Sequence, residues 1–380
     1  MATSEVVHKP FHQPSILRTP TSHPLHRIAE GCVSGDGSDR AVSIFKTMVE
    51  IAGMRRDTGS NGTQRQPQAG FQASCDISQI ICSLNALEFV AYHAISVPEV
   101  PKSIAEILPR VSNIEITEIT RPFDGRIKTC SDVVSGVAFL HSRKPNTGFI
   151  FTESEIGTEI DLKAALGRMA MIPKNNHIAT ANGISPMHAI SSLIRPSLAI
   201  PFIDYAMCLG TWGRIAYVDF DKGNGSADLE LRTTDAKISL FEVTEKNEPG
   251  LWMIDITGKI NQEICKSKNS TGYAVVFTPH TTAGIIPAAD KPNVIRQIME
   301  TLYMIAPRDA EYMHDLTAKD GNGISHVMGS ITGPQVMVHF TDRKIDGVIV
   351  DGAMRSDYKV IFADTDVLTP RARKVIVATF

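Results

Sequence analysis

Hydrophobic residues recur along the chain at two different spacings. Alternation with period two in residues 114–120 (IEITEIT) and 238–244 (ISLFEVT) predicts half-buried strands. Isoleucines four residues apart predict a short helix at 256–264, and a wider apolar stripe predicts a longer helix over 294–305. Further apolar runs, interpreted as closing strands, are VMGSI, PQVMVHF, DGVIV, KVIFAD and KVIVATF. Because strands outnumber helices and connections are short, we expect an α+β fold with mostly antiparallel sheets.

The same order of elements occurs twice. GFIFTES (148–154) aligns with AVVFTPH (274–280), and LGTWGRIAYVDFD (209–221) aligns with the stretch that begins DGAMRSDYKVIFAD (351–364). Between them, residues 176–194 align with residues 313–331. Matches in a constant order indicate a tandem duplication. We therefore predict copy one at 112–235 and copy two at 236–380, each a sheet or sandwich with two helices.

The first 111 residues have a different composition. Residues 1–35 are rich in Pro, His, Ser and Thr and have little apolar periodicity, so we expect a disordered extension, with a transit peptide as the open alternative. Helical spacing returns at 40–54 and 76–95, separated by a Gly- and Gln-rich linker. Residues 36–111 are therefore interpreted as a helical extension that packs on the main body or on a partner subunit.

Composition narrows the class of protein. The 380 residues are 43% hydrophobic and 21% charged, with a formal net charge of −3, which does not fit a disordered chain or a nucleic-acid-binding one. We find no apolar run of 18 residues and expect no membrane span. Six scattered cysteines without CxxC spacing predict free thiols in a reducing compartment, which favours the cytoplasm and leaves organellar import open.

Copy two contains three short motifs: PHTTA (279–283), YMHD (312–315) and ISHVMGS (324–330). Together with LGTWGRI (209–215) of copy one, they resemble the YjbQ family of small α+β proteins. The resemblance covers about residues 112–380. It implies two tandem YjbQ-like domains, trimer-like assembly, and an activity similar to the thiamine-phosphate synthase activity reported for some members.

The resemblance implies that His280, His314 and His326 converge in one site. Neutral imidazoles suit Zn²⁺ or a similar divalent ion, whereas a metal-free site would use the same rings as acid–base groups. The plainer alternative is that each histidine is a satisfied polar residue near a strand end. The predicted substrate-binding residues are Thr281, Thr282, Ser325, Arg355, Trp212 and His188.

Each copy departs from the family pattern at different places. Copy two replaces Gly-Thr-Trp-Gln by residues 352–355 and has Ala288-Ala289-Asp290 where members carry an acidic Asn-Glu pair. Copy one keeps Gly210-Thr211-Trp212 but has Ser154, flanked by Glu153 and Glu155, in place of His280. Because the losses are complementary, we expect either one composite site or one active and one structural copy.

These observations favour a small-molecule enzyme with a histidine-centred, metal-dependent or metal-free site that acts on a small anionic substrate. By resemblance the reaction is thiamine-phosphate synthase-like. The alternatives are a diverged lyase, isomerase or hydrolase of a specialised pathway, and a non-catalytic binding or assembly protein. We expect a homo-oligomer with no nucleic-acid or membrane partner.

Overall fold

The computed structural model describes residues 82–83, 99–171, 191, 194–221, 227–350, 352–368 and 370–380. The predicted extension at 1–35 and the predicted helices at 40–54 and 76–95 lie outside these ranges, apart from the two-residue strand at 82–83. Among the described residues, the helices are too short or too polar to cross a membrane.

The helix α1 (Lys102–Ala105) lies just before copy one. In its described residues, copy one contains short strands and the helices α2 (Thr120–Cys130) and α3 (Ile156–Met171). Its strands are β2 (Glu115–Glu118), β3 (Gly136–Ser142), β4 (Thr147–Glu153), β5 (Ser197–Ile203), β6 (Ala206–Met207), β7 (Gly213–Asp219) and β8 (Asp228–Asp235), with β1 (Cys82–Ser83) beside β8.

Copy two repeats the order of the elements described for copy one. Its helices are α4 (Thr257–Ile264), α5 (Val294–Ile305), α6 (Met313–Thr317) and α7 (Gly323–Thr332). Its strands are β9 (Lys237–Val243), β10 (Trp252–Asp255), β11 (Gly272–Phe277), β12 (Ala283–Ala289), β13 (Gln335–Thr341), β14 (Lys344–Val350), β15 (Ala353–Arg355), β16 (Tyr358–Asp364) and β17 (Arg373–Thr379).

Each copy contains a larger and a smaller sheet, and the described strand pairs are antiparallel. The small sheets have the orders β2-β7-β4 and β10-β16-β12, and the large sheets have the orders β1-β8-β3-β5-β6 and β15-β14-β13-β11-β17-β9. The run β8-β3-β5 therefore corresponds to β17-β11-β13. This topology confirms an α+β fold in two tandem domains.

The topology corrects the register in which we aligned the two copies. β4 pairs with β7 in the small sheet of copy one, as β12 pairs with β16 in copy two, whereas β11 lies in the large sheet. GFIFTES therefore corresponds to β12 and not to AVVFTPH. The strands of 114–120 and 238–244 likewise occupy different sheets. The error arose because short apolar strands look alike when only their alternation is compared.

The predicted strand VMGSI was also wrong, since residues 327–331 belong to helix α7. Residues 323–330 are buried on all sides, so this helix has no amphipathic stripe. Periodicity alone does not distinguish a short buried helix from a short buried strand. The helix at 257–264 is confirmed, with Ile256, Ile260 and Ile264 fully buried along its inner face.

One hydrophobic core joins the two copies. It contains residues from β3, β5 and β7 of copy one and from β11, β13 and β17 of copy two. Phe139 meets Phe380 edge to face at 5.8 Å between ring centroids, and Phe151 meets Phe277 at 5.7 Å. Aromatic pairs in this geometry stabilise beyond their buried area, so the copies pack as one body.

Candidate functional site

A cluster of one carboxylate and two imidazoles lies where the copies meet. Glu153 is the last residue of β4 in copy one, His314 lies in α6 and His326 lies in α7 of copy two. The Oε2 atom of Glu153 is 3.0 Å from Nε2 of His326 and 3.7 Å from Nε2 of His314. The imidazole rings lie 4.7 Å apart between centroids, tilted by 33°.

This cluster has the composition of a metal site. One ligand atom from each of Glu153, His314 and His326 lies within 4.8 Å of the other two, a spacing that one ion can bridge. The side chains of the two histidines are 1% and 5% exposed, whereas that of Glu153 is 18% exposed. The site is therefore buried but opens toward solvent on the carboxylate side. We name it the composite site, because neither copy supplies all three residues.

Further carboxylates surround His314. Its Nδ1 atom is 3.3 Å from Oδ1 of Asp320 and 3.7 Å from Oδ1 of Asp315. Burial alone would lower the pKa of His314, but Asp315 and Glu153, aided by Asp320 and Glu155, outweigh it and raise that pKa to about 10. Burial likewise opposes ionisation of Glu153, and the two histidines overcome it and lower its pKa to about 2. The site thus carries excess negative charge and favours a cation.

Several buried polar atoms at this cluster lack hydrogen-bond partners within the described part of the chain. They include Nδ1 of His314, Nδ1 of His326 and Oδ1 of Asn322, the residue that precedes helix α7. Unpaired buried polar atoms are costly and rare in folded proteins. Their presence beside the composite site indicates a place that receives water or a ligand.

His280, predicted to be the third imidazole, lies in a different environment. Its Nε2 atom accepts a hydrogen bond of 2.8 Å from the backbone N–H of Lys374. Burial, reinforced by Arg373 and Arg371, lowers the pKa of His280 to about 4, so the ring is neutral at pH 7. In the described residues, the group of potential ligands around His314 and His326 contains Glu153 and not His280.

The polar residues next to the histidines are largely engaged in backbone contacts. The carbonyl of Thr282 accepts the N–H of Thr365, and Oγ of Ser325 accepts the N–H of Val367. Thr281 is buried. These hydrogen bonds hold the loop before β12 and the start of α7 against the end of β16. Substrate binding by Thr281, Thr282 and Ser325 stays a prediction.

The other predicted substrate-binding residues are spread over the chain. Trp212 is 67% exposed and precedes Gly213, the cross-strand partner of Glu153, so it lies near the rim of the composite site. Arg355 is half-buried on the edge strand β15. His188 lies outside the described residues.

Glu153 is the functional candidate that our sequence reasoning missed as a ligand. It ends β4 and faces Gly213 across the sheet, as Ala289 ends β12 and faces Tyr358. The acidic residue that we expected after the His-Thr strand and did not find in copy two therefore stands at the equivalent position of copy one. Correct alignment of β4 with β12 is the signal that would have identified it.

Comparisons with known proteins give the family. The model of the UPF0047 protein YjbQ-like family matches residues 108–235 and 241–380. A UPF0047 protein of Archaeoglobus fulgidus is 26% identical over 137 residues, which are 36% of this chain and 98% of that protein. A UPF0047 protein of Methanocaldococcus jannaschii is 32% identical over 106 residues, which are 28% of this chain and 74% of that protein.

Two solved structures each match slightly more than a third of this chain. A YjbQ/UPF0047 family protein of Clostridium acetobutylicum is 29% identical, with a TM-score of 0.32, over 37% of this chain and 99% of its own. A hypothetical protein of Aeropyrum pernix is 22% identical, with a TM-score of 0.32, over 38% of this chain and 98% of its own. With the family model matched twice along its length, the chain belongs to the YjbQ-like UPF0047 family and carries the family unit in tandem.

Proposed function

We propose that this chain is an enzyme whose composite site binds one divalent metal ion through Glu153, His314 and His326 and acts on a small anionic substrate. The observation that carries the proposal is the position of the Glu153 carboxylate, 3.0 and 3.7 Å from the Nε2 atoms of two buried histidines. A carboxylate from copy one and imidazoles from copy two would make catalysis depend on both copies.

The donor set favours zinc or a similar ion over magnesium. Two imidazole nitrogens and one carboxylate oxygen are ligands that Zn²⁺ accepts in catalytic sites, where a fourth position stays open for water or substrate. Mg²⁺ prefers oxygen ligands alone. Oδ1 of Asp320 lies 3.3 Å from Nδ1 of His314, on the side of the ring where carboxylates commonly stand behind metal-bound histidines, although no hydrogen bond joins the two atoms in this structure.

The local charge explains how such a site would bind an anion. Glu153, Glu155, Asp315 and Asp320 all act on His314, so the protein alone repels a phosphate or carboxylate group. A bound divalent cation would offset this negative charge and offer the substrate a positive centre. The proposed preference for anions is therefore a property of the metal-loaded protein.

The ligand set also bears on the reaction class. Joining a pyrimidine diphosphate to a thiazole phosphate normally relies on Mg²⁺ held by carboxylates, whereas two of the three residues that form the composite site are histidines. A zinc-type ion instead polarises a carbonyl or activates a water molecule. We therefore propose a hydrolase, lyase or isomerase ahead of a thiamine-phosphate synthase-like transferase.

Proton transfer without a metal is the second candidate. The 3.0 Å contact between Glu153 and His326 is a carboxylate–imidazole pair of the kind that serves as a general base. His314, whose pKa is raised to about 10, would be protonated at pH 7 and able to act as an acid. This alternative uses the same residues and differs only in that no metal ion is bound between them.

Metal analysis of the purified full-length chain tests the proposal. We expect roughly one zinc-type ion per chain, retained on gel filtration and lost in the Glu153→Ala, His326→Ala double variant. The matched control is His339→Ala, because His339 forms a 2.6 Å contact with Asp346 on the sheet surface. A metal-free wild type, or a double variant that keeps its metal, would refute the metal site.

Activity assays then separate the reaction classes. Formation of thiamine phosphate from the pyrimidine diphosphate and the thiazole phosphate would support the transferase instead. Hydrolysis of model esters or phosphates that follows the metal content would support the first proposal. If the chain is catalytically inert and no metal is present, a non-catalytic binding or assembly role would be favoured. Homo-oligomerisation is a further prediction, measured by light scattering.

A further inference from the structure

Asp161 makes an unusual connection between the two copies. It lies in α3 of copy one, and the residue is 1% exposed. Its Oδ1 atom accepts the backbone N–H of Met313 at 2.8 Å, and its Oδ2 atom accepts the backbone N–H of His314 at 2.9 Å. One carboxylate from copy one therefore binds the two N–H groups that begin α6 in copy two.

This contact replaces the local cap that α6 lacks. Tyr312, the residue before α6, makes no side-chain hydrogen bond to the helix. The first N–H groups of a helix have no partner inside the helix and need one from elsewhere. Asp161 supplies it from a separate element, and this fixes α6 to α3 and not merely to its own loop.

The two helices also approach closely one turn earlier. A Cβ atom at Gly157 would lie 2.6 Å from both Cα and N of His314, a distance that real side chains do not show. Only glycine permits this contact. Helix α3 thus touches the His314 backbone at two successive turns, through Gly157 and through Asp161.

The same unit of copy one carries the carboxylate of the composite site. Glu153 ends β4, and α3 begins three residues later at Ile156. The relative position of Glu153 and His314 is therefore set by one short segment, with Glu153 at one end and Asp161 on the helix that follows.

We infer that Asp161 is a positioning residue of the composite site, which holds the backbone of His314 so that its ring stays beside Glu153. The inference deepens the proposed function and rests on it for the role of His314. The hydrogen bonds of Asp161 go to the backbone and not to the ring, so its positioning effect would pass through the backbone of α6, while its charge also acts on His314 at a distance.

Two variants and one control test this inference in the full chain. Asp161→Asn has nearly the same shape but turns one acceptor into a donor that faces an N–H group, and Asp161→Ala removes both acceptors. The control is Asp255→Asn, because Oδ1 of Asp255 accepts the N–H of Thr257 at the start of α4 at 3.0 Å, outside the composite site. Should the alanine variant fail to fold, the asparagine variant still provides the test.

Two readouts separate positioning from simple helix capping. In the metal-free protein we measure the imidazole ¹⁵N chemical shifts of His314 at one fixed pH, and with Co²⁺ as the probe we measure affinity and visible absorption. We expect Asp161→Asn to shift the His314 ring signals and weaken Co²⁺ binding by about 10–100-fold, as loss of a supporting residue commonly does. Asp255→Asn should leave both readouts unchanged.

The outcomes distinguish this inference from the proposed function. If wild type binds no Co²⁺, the metal site fails, and the His314 ring signals alone decide the role of Asp161. If Asp161→Asn is folded and leaves both the ring signals and any Co²⁺ affinity unchanged, Asp161 is only a structural cap and the inference is overturned.

Discussion

Replacing Glu153 by Gln removes one negative charge from beside His314 and preserves the size of the side chain. Carboxylates raise the pKa of His314 from 6.5 to about 10 against the opposing effect of burial. Oε2 of Glu153 lies 3.7 Å from Nε2 of His314. Two unit charges at that distance interact by about 4 kcal/mol at an effective dielectric constant of about 20. That free energy corresponds to a difference of about 3 in pKa.

The expected change is smaller, because the Glu153 charge is shared with His326 and because Asp315 and Asp320 remain. We predict that Glu153→Gln lowers the pKa of His314 in the metal-free chain by about 1–2. The assay is a pH titration of the imidazole signals by NMR, with the signal of His314 assigned from its Gln variant.

The matched control neutralises a carboxylate at a histidine elsewhere. Asp346→Asn, beside His339, should leave the titration of His314 unchanged, since this pair lies on the surface of the large sheet of copy two. If His314 titrates alike in the wild type and in Glu153→Gln, Glu153 does not act on it and the composite site is wrong as described.

Three further perturbations test the packing and the charges. A Cβ atom at Gly210 (φ +73°) would lie 2.5 Å from a backbone carbonyl oxygen of copy two, whereas one at Gly352 (φ +74°) would have nothing within 4 Å. Gly210→Ala and Gly352→Ala should each lose about 1–3 kcal/mol of stability to backbone strain. Urea unfolding should show Gly210→Ala as the more destabilised of the two. The folded-state pKa of His314 lies above its unfolded value, so the stability that His314 provides is complete below about pH 6.5 and is lost as pH rises toward 10. The free energy of unfolding should therefore fall between these pH values in the wild type, and it should fall less in His314→Gln. Arg373→Met removes one charged partner from each of the buried carboxylates Asp364 and Asp366 and should lower the free energy of unfolding by about 3–5 kcal/mol. Arg296→Met, which removes an exposed ion pair on a helix, should lower it by under about 1 kcal/mol in the same assay.

Much of the fold could be predicted from local pattern, because helices and strands that bury one face place their apolar residues at a characteristic spacing. Ile256, Ile260 and Ile264 pack on one side of α4 as their spacing predicts. Alternation likewise identified the strand at 237–243, one face of which is exposed. The pattern failed at 327–331, where burial on every side removes the contrast between apolar and polar faces.

The candidate site was only half predictable. His314 and His326 were identified from their motifs, but the partner that the fold brings to them comes from the other copy, more than 150 residues away. Glu153 lies in the same register as Ala289, and this relation is visible only once the sheets are known. Asp161 carries no motif at all, since a buried carboxylate that accepts two backbone N–H groups has no local sequence signature.

The most direct test of the composite site is a crystal structure of the full chain with anomalous diffraction data collected at the zinc absorption edge. The account predicts one strong anomalous peak per chain, bonded to Oε2 of Glu153 and to the Nε2 atoms of His314 and His326. A peak at His280 instead, or a zinc-supplemented crystal with no peak between these three residues, would contradict it.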